Sequence, residues 1–193
     1  MDSIDLAVWV FLGVLAFLVL WAVVTYNKLV RLRNRVDAVW ADIDVQLKRR
    51  HDLVPNLVEV VEGYATHERE TFEEVTEARS QAVAAESPED QAHAENALSG
   101  ALVRLLATAE AYPDLEAEER FQDLHEALVR LENAIALTRQ AFNLSVQAYN
   151  NSVQTVPTNI VAWLASFPPR AFLSAPASET DVPEVDFDLR VTA

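Results

Sequence analysis

Nineteen consecutive residues, Leu6 to Val24, contain no charged or strongly polar side chain. At 1.5 Å per residue a helix of that length reaches ~28 Å, close to the ~30 Å hydrocarbon core of a bilayer. A soluble core helix needs one apolar stripe, whereas this segment is apolar around its whole circumference. A cleaved signal peptide would carry a positive n-region and a small-residue cleavage site. Here the N-terminus holds Asp2 and Asp5 and no Lys or Arg. The cations come after the apolar run: Lys28, Arg31, Arg33 and Arg35, with no acid until Asp37. Positive flanks stay on the cytoplasmic side. The expected topology is therefore a single-pass protein of the cell membrane. Residues 1–3 lie outside, 4–26 form a transmembrane helix, and the remainder is cytoplasmic. Trp21 and Tyr26 suit the interface at the exit. The bilayer is the first expected partner. The basic run beside the span can also attract anionic headgroups, although topology alone accounts for it.

Beyond the span the composition favours helix. Ala, Glu, Leu, Val and Arg dominate, and only 3 of 193 residues are Gly. There is no Cys, which excludes disulfides and thiolate metal sites. Charge is divided unevenly: residues 1–50 hold seven Lys/Arg and five Asp/Glu, residues 51–193 eight and twenty-five. The net charge is −15. Nucleic acid is not an expected partner, because phosphate binding needs clustered cations. An acidic surface with only two lysines, Lys28 and Lys48, suits a cytoplasm filled with salt, where screening removes self-repulsion. The expected source is a halophilic cell; an acidic docking face for a basic partner is the alternative.

From Leu29 apolar residues recur in steps of three, four or seven: Leu32, Val36, Val39/Trp40, Ile43, Leu47, Val54, Leu57/Val58, Val61, Ala65, Phe72 and Val75. Pro55 interrupts this stripe. The phase is kept across it, so a kinked continuous helix is favoured over two helices, running to about Glu86. Ser87-Pro88-Glu89-Asp90 reads as an N-cap, N1 and two acids at a helix start. That helix runs through Leu98, Leu102, Leu105/Leu106 and Ala109. Tyr112-Pro113-Asp114 ends it and starts another, carrying Leu115, Phe121, Leu124, Leu128, Leu131, Ile135, Thr138, Phe142, Val146, Tyr149 and Val153 to near Pro157. A short amphipathic helix with Ile160, Val161, Trp163 and Leu164 follows. Residues 168–193 are acidic and Pro-containing and read as a disordered tail. The expected fold is all-α: the span, then an elongated antiparallel helical bundle of three to four helices over 27–167, with coiled-coil-like stripes.

Several stretches of this chain carry a resemblance. They are the run Ile43 to Val58 (IDVQLKRRHDLVPNLV), Gly63-Tyr64-Ala65-Thr66-His67-Glu68, Ala78-Arg79, Glu110 to Leu115, Tyr149-Asn150 and Pro157. Over residues 26–165 the sequence resembles the LemA family, prokaryotic membrane-anchored helical proteins. The resemblance implies one N-terminal transmembrane helix, a helical-bundle domain and no established activity. Two departures bear on local packing. Val156-Pro157 stands where Phe-Pro is usual, and Asn143 to Val146 stands where an aromatic-Asn pair and an acid are common.

No catalytic, cofactor or metal constellation emerges. His67-Glu68 would need a second His four residues after the first to place two imidazoles on one helix face, and that position is Thr71. His93-Ala94-Glu95 and His125-Glu126 fail in the same way. The residues singled out are candidates for interaction or for fixing the bundle. Lys48, Arg49, Arg50 and Asp52 form a polar patch, read either as a solvated face or as a docking patch. Pro55 marks the kink. Asn56, Tyr64, Arg79, Tyr112, Tyr149 and Asn150 are polar groups in apolar helices that need partners if buried; His67, Glu68 and Pro113 complete the motifs. The expected role is a non-enzymatic membrane-tethered scaffold or adaptor for an unidentified membrane or cytoplasmic protein. A self-assembling structural protein and an accessory subunit of a membrane enzyme such as a protease are the alternatives.

Overall fold

The computed structural model describes residues 3–85 and 87–173. The all-α expectation holds: among the described residues there are six helices and no strand. They are α1 (Ser3–Glu62), α2 (Arg69–Ala84), α3 (Pro88–Ala109), α4 (Pro113–Glu116), α5 (Glu119–Gln154) and α6 (Thr158–Leu164). α1 begins with the one stretch among the described residues long and apolar enough to cross a membrane. The chain divides into two compact units. One comprises 3–53 with 123–172; the other comprises 54–122.

Pro55 lies inside α1, so the helix continues through it. The expectation that this helix reaches Glu86 is corrected: it ends at Glu62. Gly63 still donates to Glu59 O, but Tyr64 donates to Val61 O, three residues back, and Glu68 closes a turn on Ala65 O. Gly and the β-branched Thr66 are poor helix formers, and the turn resets the chain into α2. Ala65 remains fully buried in this turn. Its apolar phase with Val61 and Phe72 therefore survives a break in the helix.

Within the first unit α1 and α5 run antiparallel. Trp40 meets Phe142 edge-on, with centroids 5.4 Å apart, and Arg50 meets Glu132. Advancing ten residues along α1 thus retreats ten along α5. The core comes from residues at seven-residue spacing: Leu29, Val36 and Ile43 from α1, and Leu128, Ile135, Phe142 and Tyr149 from α5. A strict seven-residue repeat keeps one seam of a helix facing its partner. Val161, Ala162 and Phe167 close this core at the α6 end.

In the second unit α2 and α3 form an antiparallel hairpin, with Arg104 bonded to Glu74. The Ser87 side chain accepts from the Asp90 amide at 3.1 Å and caps α3, with Pro88 in its first turn, as the sequence indicates. Ala78, Ala82, Ala101 and Ala109 are buried, as are Val75, Leu98, Leu102 and Leu105. Small side chains in the seam let helices approach closely, and leucines fill the remaining space. The Glu118 carboxylate accepts from the Phe121 amide at 2.9 Å and caps the start of α5. Residues 174–193, most of the expected tail, lie outside the described residues.

Candidate functional site

The run Lys48-Arg49-Arg50-Asp52 does not form one face. Lys48, Arg49 and Asp52 are exposed, whereas Arg50 is 1% exposed. Counting by sevens explains the split, since Arg50 follows Leu29, Val36 and Ile43 in the core seam. Its Nη1 donates to Glu132 Oε1 at 2.7 Å. Glu132 is 40% exposed, so the pair has one wet end and one dry end. A charge at a seam position contributes less to stability than an aliphatic side chain and more to a unique register, because a slipped helix strands it.

A second polar group sits on α5 near its C-terminal end. Tyr149 and Asn150 are buried, and both bind the chain that returns after α6. Tyr149 Oη donates to Pro168 O at 2.9 Å. Asn150 Nδ2 donates to Arg170 O at 2.8 Å, and its Oδ1 accepts the Arg170 amide at 2.9 Å. The Arg170 guanidinium reaches Asp37 of α1 at 3.1 Å. Ahead of it, Phe167 packs edge-on to Tyr26, with centroids 5.7 Å apart and under the Arg33 guanidinium. Ser166, at φ 55°, turns the chain back on itself, and Phe167 donates to Ala162 O to close the end of α6. Residues 167–170 are thereby tied to both α1 and α5, although the sequence reads 168–170 as tail.

Burial pushes the Tyr149 phenol above its usual range, and the Asp37 carboxylate adds to this; Arg170 and Arg33 pull it back. The phenol is the donor in the bond to Pro168, so the clasp needs it protonated. Tyr149→Phe is expected to cost about 1 kcal/mol. It should also speed deuterium exchange at the Arg170 amide while α1 and the rest of α5 exchange as before. Burial likewise raises the pKa of Asp44.

The other sequence candidates are dispersed. Pro55, Asn56, Tyr64, His67 and Pro113 are exposed, and Glu68, Arg79 and Tyr112 are partly buried. Exposed Asn56 and Tyr64 are solvated and need no interhelical partner. Glu132, Asp37 and Arg170 are not among the residues the sequence marks as candidates, and Glu95, 1% exposed, enters there only in a rejected metal motif. Glu132 had a signal, since Glu132, Arg139, Val146 and Val153 form a second seven-residue series on α5. Among the described residues no three His, Asp or Glu side chains gather as a metal site. The groove between α1 and α5 lined by Val39, Asp42, Val45, Gln46, Leu137, Thr138 and Ala141 offers a single carboxylate. What these arrangements do is fix helix register and hold the segment that follows α6.

A family model described as the LemA family matches residues 39–187. No match is found among curated proteins.

Proposed function

The chain belongs to the LemA family, and from that premise we propose that it is a non-enzymatic, membrane-tethered scaffold that presents its helical body to a protein partner. The observation that carries this reading is the contrast between the two parts of α1. From Val8 to Val24 all its large apolar side chains but the half-buried Trp21 stand open, Phe11 and Phe17 at 67%. From Leu29 on, every seventh residue is sealed in a core. Lipid is the solvent that suits the first part. The cations from Lys28 to Arg35 orient the body to the cytoplasmic side. Tethering confines the body to the membrane surface and raises its effective concentration toward membrane partners.

Cross-linking of the tagged full-length protein in its own membranes, at native salt, tests the role. A reproducible membrane or cytoplasmic partner is the expected result. One observation favours a second reading, self-assembly. Leu137 and Leu144, seven residues apart on α5, are 67% and 59% exposed, with Val45 also open at 48%. Recovery of self cross-links alone would select it over the adaptor.

The acidic surface supports a halophilic setting as part of this proposal. With a net charge of −15, self-repulsion weakens as the Debye length falls from ~10 Å at 0.1 M salt to ~3 Å at 1 M. Thermal unfolding followed by circular dichroism should move up by several degrees over that range of KCl. A flat or falling midpoint would remove the halophilic reading.

A further inference from the structure

We propose that α6 is a second membrane contact, a short interfacial helix whose Ile160, Trp163 and Leu164 rest in the headgroup layer of the bilayer that α1 crosses. The inference rests on the reading of α1 as a span. α6 has two apolar faces. Val161 and Ala162 are buried and hold the helix to its unit. Ile160, Trp163 and Leu164, at i, i+3 and i+4, share the other face, and they are 55%, 80% and 70% exposed. Val156, just ahead of α6 in the chain, is also open at 73%. So concentrated an exposed apolar patch marks a contact surface.

The level of this patch says what covers it. Phe167, three residues past α6, packs on Tyr26, which lies two residues, ~3 Å, beyond the last apolar residue of the span. Thr25 and Leu29 are buried at 5% and 0%, so chain is packed against α1 at the turn where it leaves the bilayer. The headgroup zone is ~5–7 Å deep on each side; Tyr26 falls within it, with Phe167 packed on Tyr26 and the end of α6 bonded to Phe167 through Ala162 O. Trp favours that zone because its ring is apolar and its N–H is polar. Exposed Lys28, four residues or ~6 Å past Val24, occupies the same level and complements anionic headgroups. With α1 and α6 both engaged, the tether fixes the orientation of its unit as well as its distance from the membrane.

The chain has no Cys, so single-cysteine variants of the full-length protein accept one nitroxide each. The protein is reconstituted in vesicles of phosphatidylcholine and phosphatidylglycerol. Labels are placed at Leu18→Cys in the span, Leu164→Cys on α6 and Val129→Cys on exposed α5. Relaxation by oxygen and by a water-soluble nickel chelate reports depth. The Leu18 label should be deep and the Val129 label aqueous. The Leu164 label should show roughly threefold less nickel contact than Val129, as for a side chain ~5 Å into the interface. Adding Trp163→Glu, at a position too exposed to affect folding, should return the Leu164 label to water while Leu18 stays deep. An aqueous Leu164 label beside a deep Leu18 label overturns the α6 contact and leaves the span standing. An aqueous Leu18 label overturns both. Dipolar broadening between Leu164 labels would assign the face to a second copy and overturn the lipid contact.

Discussion

Arg50→Ala is expected to lower the thermal midpoint of the full-length protein by roughly 10 °C, the size of effect that ~3 kcal/mol has on a chain of this length. Arg50 is among the largest fully buried side chains, and it occupies a seam position otherwise held by Leu29, Val36 and Ile43. Alanine leaves a void where the aliphatic stem packed, and cavity-forming changes in cores cost ~2–5 kcal/mol. It also releases the Glu132 carboxylate, but that group is 40% exposed and rehydrates at small cost. Arg50→Lys keeps charge and most of the stem yet loses the planar fork, so about half the effect is expected. Glu132→Ala should fall in the same intermediate range, since it removes a charge-assisted hydrogen bond worth ~1.5–3 kcal/mol. Thermal circular dichroism in detergent at native salt checks the order. A midpoint for Arg50→Ala within ~2 °C of wild type would mean that the side chain is not packed in the seam.

Leu15→Arg with Leu18→Arg is expected to shift the protein from the carbonate-washed membrane pellet to the soluble fraction. The run Leu6 to Val24 contains thirteen Leu, Val and Phe residues. At about −0.3 to −0.6 kcal/mol each, they favour insertion by ~4–8 kcal/mol. Each central Arg opposes it by ~2.5–3.5 kcal/mol, and two leucines are lost as well. The sum moves to near or above zero. Snorkelling to the headgroups is of limited help this close to the centre of the span. The helices beyond Leu29 do not use these side chains, so the body should keep its unfolding transition. Retention of the double variant in the pellet would mean that the protein is held there by something other than this span.

Which of these features can be read from sequence depends on how local their physics is. A helix long and apolar enough to cross a membrane is a matter of composition over nineteen residues and is visible at once. The cap at Ser87 is legible because the hydroxyl, the proline and the acids act within one turn. The turn at Gly63 is not, because the apolar phase from Val61 through Ala65 to Phe72 continues across it. None of the described glycines has a positive φ that would betray a turn. Arg50 is hidden by its neighbours. Three consecutive cations read as one polar run, and only the seven-residue count from Leu29 separates the buried one from the exposed two. Tyr149 and Asn150 stand out as polar groups on an apolar stripe. Their partners do not, because Pro168 and Arg170 lie in a proline-containing segment that looks like tail and meets α5 only through long-range hydrogen bonds.

The tether itself is tested most directly by cysteine accessibility in intact cells of the source organism at native salt. Ser3→Cys and Leu137→Cys each provide a single thiol, the second on an exposed position of α5. With an impermeant maleimide, Ser3→Cys should be labelled in intact cells and Leu137→Cys only after permeabilisation. Labelling of Leu137→Cys in intact cells, or recovery of the unlabelled protein in the soluble fraction, would contradict a single-pass protein with its body in the cytoplasm.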